Sequence, residues 1–453
     1  MRPVALATLT LSLLAAGGLF AQEHTEDLEK KISALQAELN QLRTQGGDAQ
    51  IQEVERRLDL LAAEIEALRT GGATADVEAP ARGEPGLGPA ASKVYRRPRG
   101  VSIGGYGETL YRNFASKKQD GSPSGLEDRL DLLRLILYTG YKFSDQILFN
   151  SEIEFEHATT GEGDEEKGEV SVEQAYVDLK PWKRIGIRAG MVVVPLGFIN
   201  ELHEPPIFLG SRRPEVEQRI IPTTWHEVGL GLFGETGQFQ WRGYAVAGLN
   251  ASGFEGSGIK EGRQQGSESL AEDIALTGRL DFVGAPGLLV GGSVLTGKSG
   301  QGAALGGRAI DGRVTLFDVH AQYERRGLQA RALYVGTRIG DAALINAHNG
   351  VAGHESVGNR QYGFYVEAGY DLMTARPHGQ WAVIPFVRFE QLDTQNEVPS
   401  GFERNPALDQ KVWTAGVSVK PLTGVVFKAD GQWFSNKART GATQFNAAVG
   451  YLF

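Results

Sequence analysis

The sequence predicts an all-β fold, a sixteen-stranded antiparallel transmembrane β-barrel, with an N-terminal α-helical coiled-coil segment ahead of it. Three observations predict it. From Val101 onward, apolar and polar residues alternate with period two in run after run. The connections between those runs alternate long and short, the rhythm of a barrel that turns tightly on one side of a membrane and loops widely on the other. Past residue 21, no apolar run approaches the roughly 18 residues that a membrane helix needs.

A soluble chain of 453 residues is expected to split into about three domains. The composition points elsewhere. Barrel strands pair lipid-facing apolar with lumen-facing polar residues, so they sum to an ordinary hydropathy while being rich in glycine. The 60 glycines, 41% hydrophobic content and mean hydropathy of -0.24 fit that class. There is no cysteine, so an exported form must rely on its ladders and packing without disulfides.

Residues 1–21 have one basic residue, Arg2, an apolar stretch from Val4 to Leu14 and small residues before Gln22, the layout of a secretory signal. Across 22–70 the apolar positions Leu28, Ile32, Leu35, Leu39, Leu42 and then Ile51, Val54, Leu58, Leu61, Ile65, Leu68 step by alternating fours and threes. That is a coiled-coil seam. Gly46-Gly47 breaks its phase and Asp48 is placed to cap a second helix. A coil between subunits and a hairpin within one chain satisfy the pattern equally. Residues 71–100 are rich in Gly, Ala and Pro, a linker composition, ending in the basic cluster Arg96-Arg97-Pro98-Arg99. The cluster reads either as a contact for anionic lipid or cell-wall polymer or as a solvated edge.

The barrel domain is expected over 101–453. Its strands are read at 101–114, 129–143, 145–157, 168–180, 184–194, 225–235, 237–250, 273–283, 287–297, 311–325, 328–339, 360–372, 380–392, 410–420, 423–434 and 442–453. The faces separate cleanly: Ile147, Phe149, Ile153 and Phe155 oppose Glu152, Glu154 and Glu156. The last strand carries Phe445, Val449, Tyr451 and the terminal Phe453 on one face, the pattern of an outer-membrane assembly signal.

One connection stands out. Pro195–Thr224 runs for 30 residues, where compact domains use about 4 to 6. Its five prolines and the apolar pair Ile207 and Phe208 mark a segment built to pack, and it is expected to fold into the barrel mouth and narrow it. There Arg212, Arg213 and Arg219 stand against Glu201, Glu204, Glu215 and Glu217. Strand parity also turns Arg134, Arg188, Arg242, Arg279, Arg331, Arg388 and Lys428 inward, since an arginine facing lipid near the midplane costs on the order of 2–4 kcal/mol. Guanidinium matches phosphate and carboxylate oxygens, so such a column offers successive anion sites. The same parity turns Glu152, Glu154, Glu156, Asp281, Asp318, Glu367, Glu390 and Asp430 inward, so pairing across the lumen is the competing reading. From residue 101 the chain holds 34 Lys and Arg against 41 Asp and Glu, a balance of -7.

With these residues in view, the sequence resembles the phosphate-selective porin O and P family of Gram-negative outer membranes. The resemblance is sharpest at Gly190-Met191, Val194-Pro195-Leu196-Gly197-Phe198, Ser211-Arg212-Arg213, Ile221-Pro222 and Glu227-Val228-Gly229-Leu230, with Glu227 where Asp is commoner. It implies a water-filled, homotrimeric porin in the outer membrane, embedded in its lipid, with the coil in the periplasm. The implied function is passive diffusion of small hydrophilic solutes, with anions such as phosphate preferred if the arginine column is unpaired. The long loop holds no lysine, a departure from a phosphate-type constriction.

Other classes find little support. The eight histidines are scattered, with no paired metal spacing and no nucleophile elbow, so neither an enzyme, a metal nor a cofactor is expected. His320 beside Asp318 is explained by a polar lumen position. No nucleic-acid partner is expected. The alternative from another class is a structural anchor whose coil tethers the envelope to the cell wall.

Overall fold

The computed structural model describes residues 84–159, 168–182, 184–375 and 381–453. The expected signal, the coiled coil and the first part of the linker lie outside the described residues. Sixteen strands pair antiparallel in chain order, and the first pairs with the last, so the barrel closes. They are β1 (Gly100–Phe114), β2 (Arg129–Lys142), β3 (Ile147–Glu156), β4 (Val170–Trp182), β5 (Ile185–Val193), β6 (His226–Thr236), β7 (Phe239–Ala247) and β8 (Ile274–Phe282). The second half holds β9 (Leu288–Gly297), β10 (Val314–Arg325), β11 (Leu328–Ile339), β12 (Arg360–Tyr370), β13 (Ala382–Glu397), β14 (Asp409–Leu422), β15 (Val425–Asn436) and β16 (Gln444–Leu452).

Period two does what it must in a closed ladder: it sends one side chain to each face. Outward positions form an apolar belt that includes Leu230, Leu276, Val319 and Trp413, each more than half exposed. Soluble surfaces rarely carry so continuous a patch. At the short-turn rim the belt ends in Phe143, Trp182, Phe239, Tyr370, Trp381 and Phe453, an aromatic girdle at an interface position. The strands extend past the predicted run by more than three residues only at the end of β13, which continues to Glu397. There Asp393-Thr394-Gln395-Asn396 offers no apolar alternation, yet the backbone stays paired with Arg360 and Tyr362 of β12.

Two segments occupy the space the wall encloses. Residues 84–99, with the short helix α1 (Lys93–Arg96), sit at the short-turn end, where Leu87, Ala90 and Ala91 are buried against Tyr106, Ile136 and Tyr138, and Val94 is buried beside Gly140. The expected linker is therefore packed in its described part. Its small residues, which resemble linker composition, are the ones that fit against a wall: a Cβ at Gly140 of β2 would stand 2.7 Å from Val94 Cγ2.

The second segment, 194–225, descends from the long-loop rim and returns, with α2 (Glu215–Arg219) on its ascending limb. Val194, Leu196, Phe198, Ile199, Phe208, Val216, Ile220, Ile221 and Trp225 are buried in one cluster with wall residues Leu333, Val335, Tyr365 and Leu392. Ala251, Phe254, Ile259, Ile310, Ala342, Ile345 and Val357 from three other long loops join that cluster, the last including α3 (Ala342–Asn349). The inward fold expected of Pro195–Thr224 is present, and it goes deeper than a mouth constriction.

Candidate functional site: the occupied lumen

The seven wall cations predicted from parity all face inward, and each is less than a tenth exposed. Their partners show why. Arg188 bonds Asp178 at 2.8 Å. Arg134 pairs with Glu154 at 3.3 Å and Glu108 at 3.6 Å. Arg279 reaches Asp281 at 2.8 Å, and Arg388 reaches Glu390 at 2.8 Å and Glu367 at 3.1 Å. Arg242 holds Glu201 in a two-pronged pair, Nε to Oε1 being 2.5 Å.

Arg188 also donates to Tyr95 Oη at 2.9 Å and Arg331 to Glu324 at 3.4 Å, and four of the seven bond the loop backbone. Lys428 donates to Gly210 O at 2.9 Å, Arg331 to Ile207 O at 2.7 Å, Arg388 to Arg212 O at 3.3 Å, and Arg279 to Gly197 O. Wall carboxylates take the loop's amides: Asp318 accepts from Gly197 N at 3.1 Å, Glu390 from Val216 N at 3.1 Å, and Asp430 from Ser211 N at 2.6 Å. The seven wall cations are thus held by protein groups, as buried charge requires.

The predicted loop residues divide. Glu217 is fully buried and accepts from Phe198 N (2.8 Å), Ile199 N (2.6 Å) and Tyr365 Oη (2.7 Å), clasping both limbs to β12. Burial outweighs those donors and raises its carboxyl above the usual range. Glu204 accepts from Ala90 N and Ala91 N at 2.9 and 3.1 Å, joining the two inner segments, and burial pushes it up to about 7 against those bonds. Glu201 lies between Arg242 and Arg279.

Glu215 bridges Arg212 and Arg219, each at 3.0 Å; burial would raise it, but the two guanidiniums hold it below the ordinary value. Arg212 and Arg219 keep 21% and 39% side-chain exposure, whereas Arg213 is buried, with Nη1 donating to Thr224 at 3.1 Å and Nε and Nη2 without partners. So Arg212 and Arg219 share one mouth cluster, and Arg213 turns inward.

Sequence reasoning passed over two features. Arg112 of β1 and Arg129 of β2 are register partners at the long-loop rim, within Coulombic reach of Arg212. Like charges opposite each other in a ladder repel. The parity argument applied to β1 would have found Arg112. The second feature is Glu173 of β4, which a β-bulge adds to the buried acids around Glu152. His320 and Asp318 are indeed brought together, Nδ1 to Oδ1 at 2.5 Å, with Asp281 on Nε2 at 2.9 Å. The ring is wholly buried between two acids, a structural network.

Comparisons with known proteins follow the same line. No model of a described protein family matches the chain. An uncharacterized protein of Aquifex aeolicus (strain VF5) is 38% identical over 377 residues, covering 81% of this chain and 83% of the relative. The chain belongs to that protein's family.

For this family the barrel fold has a solved counterpart. Salmonella typhi OmpF, in complex with Daunomycin, is similar with a TM-score of 0.51 at 13% identity, over 79% of this chain and 98% of that one. An anion-selective porin from Comamonas acidovorans aligns at 13% identity over 78% and 100% of the two chains, with a TM-score of 0.47. The architecture is that of the outer-membrane porins, an all-β closed barrel of sixteen strands.

Proposed function

We propose that this protein is an outer-membrane porin-type channel for passive diffusion of small hydrophilic solutes, held closed in the conformation described here by residues 84–99 and 194–225. The observation that supports this most is the inner wall. A barrel that served only to sit in lipid gains nothing from charges on its inside, yet here those charges bond a segment that is not part of the wall. Moving that segment leaves a polar bore and an intact ladder.

Anion preference, with phosphate as the candidate solute, is supported by Arg112, Arg129, Arg212 and Arg219 at the long-loop mouth, where only Glu215 pairs with two of them. The resemblance to the phosphate-selective porin O and P family rests on the motif residues from Gly190 to Leu230. Homotrimers in outer-membrane lipid, with the coil in the periplasm, complete the reading.

The test is a planar bilayer holding the refolded full chain under a KCl gradient. The expected result is gated conductance with a zero-current potential on the anion side, shifted toward cations by Arg112→Gln with Arg129→Gln. A potential on the cation side in the parent overturns the anion preference. The buried lumen also favours a second reading, a filled anchor for the N-terminal segment. Absence of conductance at all voltages, persisting when 195–224 is replaced by a short linker, establishes the anchor instead.

A further inference from the structure

At the meeting point of the loop with β3 and β4, three buried groups converge: His203 of the loop, Glu152 of β3 and Glu173 of β4. His203 Nε2 lies 3.1 Å from Glu152 Oε1 and 3.9 Å from Glu173 Oε2, and all three donor atoms lie within 4.8 Å of one another. Donors on one ion at bonds of about 2.0–2.2 Å stand roughly 3 to 4 Å apart, so small shifts bring these three onto a common centre.

The proton arrangement leaves His203 a lone pair free to ligate. His203 Nδ1 faces the carbonyl oxygen of Asn200 at 3.1 Å, and a carbonyl only accepts, so Nδ1 carries the ring proton. A neutral ring then aims the Nε2 lone pair at two carboxylates. A backbone carbonyl that fixes the tautomer of a ligating histidine is the usual outer support of a metal site. Asn200 is itself fixed, its amide donating to Val194 O at 2.7 Å and Trp225 O at 2.9 Å.

Independent observations point to the same spot. Glu173 is the extra residue of a β-bulge: Glu152 pairs with Gln174 and Ile153 with Val172, which leaves Glu173 without a register partner. Bulges re-aim side chains, and here Glu173 and Gln174 are both buried. Glu173 is 4% exposed and its Oε2 has no hydrogen-bond donor. Gln174 Nε2 donates to Glu152 Oε2 at 3.0 Å, and its Oε1 is likewise without a donor. Several acids gather here as well. Glu108, Glu152, Glu154 and Glu173 are all buried, with Arg134 and Arg213 among the cations near them.

We infer that His203, Glu152 and Glu173 form a binding site for one first-row divalent cation of the zinc or manganese class, with Gln174 Oε1 as a fourth oxygen donor. One imidazole with carboxylate and amide oxygens suits that class. The ion fastens the inward loop to β3 and β4, and the inference stands whether or not the barrel conducts.

The test uses the full chain refolded in detergent, stripped with chelator, loaded with Zn²⁺ and, separately, Mn²⁺, and freed of excess metal by gel filtration. Elemental analysis is expected to find one ion per chain in the parent and in His348→Gln, a change at an exposed helix position. It should fall below about a tenth of an equivalent in Glu173→Gln and His203→Gln. Heat-dependent migration in gels confirms that each variant has formed its barrel. X-ray absorption of the zinc-loaded parent provides a readout that needs no variant, and one imidazole among oxygen donors is expected. A parent that retains no metal, showing the site to hold protons only, overturns the inference. So does a metal that survives both substitutions, or a spectrum with no imidazole or more than one.

Discussion

Gly363 of β12 gives the sharpest handle on whether the inner loop is a separable element. It faces inward, and a Cβ there would stand 2.9 Å from Val216 Cγ1 and 3.3 Å from both Val216 Cγ2 and Leu392 Cβ. Val216 is fully buried at the start of α2, and its amide bonds Glu390. Gly363→Val places two methyl groups in that gap. Overpacking of this kind costs about 1–3 kcal/mol. The wall is fixed on both sides by ladders to Val335 and Leu392, so the loop is the part that yields. Each 1.4 kcal/mol is about tenfold, so amide exchange at Val216 should accelerate by roughly 5- to 150-fold, and the ratio of open to closed dwell times should rise by a similar factor. The assays are deuterium uptake in lipid vesicles and single-channel recording. Val216→Ala removes the clashing methyls, so the double variant should be less perturbed than the sum of the singles. Unchanged exchange in Gly363→Val, or effects that add within about 0.5 kcal/mol, refutes the seating described here.

Two other outcomes are expected. The Glu204 carboxyl, raised by burial to about 7 from an unfolded value near 4.5, favours its protonated form in the seated state. Its Oε1 accepts from both Ala90 and Ala91, while Oε2 makes only a longer contact of 3.2 Å with Ala90 N, so a protonated Oε2 keeps the two Oε1 bonds. The joint is therefore most stable below about pH 4.5 and weakens as pH rises through about 7. Protease cleavage within 84–99 should be faster at pH 8 than at pH 5, and in Glu204→Gln that difference should disappear. Asn200→Ala removes the side chain that bridges Val194 and Trp225 at the loop's two ends. Val194 O and Trp225 O keep backbone donors, so Trp225 N is the group left unpaired, and the loop should loosen by roughly 1–3 kcal/mol, measured as exchange at Trp225.

Much of this was legible because a barrel wall obeys a local rule. Parity alone turned Arg188, Arg279 and Arg388 inward, and loop length alone singled out 195–224. What was not legible depended on partners far apart in sequence. Arg388 is satisfied by Glu367, Glu390 and the carbonyl of Arg212, and only the fold brings these together. A column of arginines inside a barrel and a column of neutralised arginines have the same sequence. Bulges broke the rule outright: at Glu173 and Gln174 neighbouring residues are both buried, which period two forbids. Residues 84–99 escaped because a segment that fits between other surfaces needs small side chains, and small side chains are also what a linker has.

The division of labour between wall and loop carries a last consequence. At Gly197, Ile207, Gly210, Ser211, Arg212 and Val216 the wall's charges bond the loop's backbone, so the side chains there are not what holds it. Wall substitutions should therefore release the loop more than substitutions of its arginines. Lys428 tests this well: its Nζ bonds Gly210 O at 2.9 Å and lies 3.5 Å from the centre of the Phe208 ring, and it is 4% exposed. Lys428→Met keeps the stem but leaves that carbonyl without the donor and removes the ring's cation, a loss of about 2–4 kcal/mol. Arg219→Ala breaks a half-exposed pair with Glu215 worth about 0–1 kcal/mol. Deuterium uptake across 205–213 should rise markedly in Lys428→Met and little in Arg219→Ala. The reverse order would mean that the loop's side chains hold it in place and the wall is incidental.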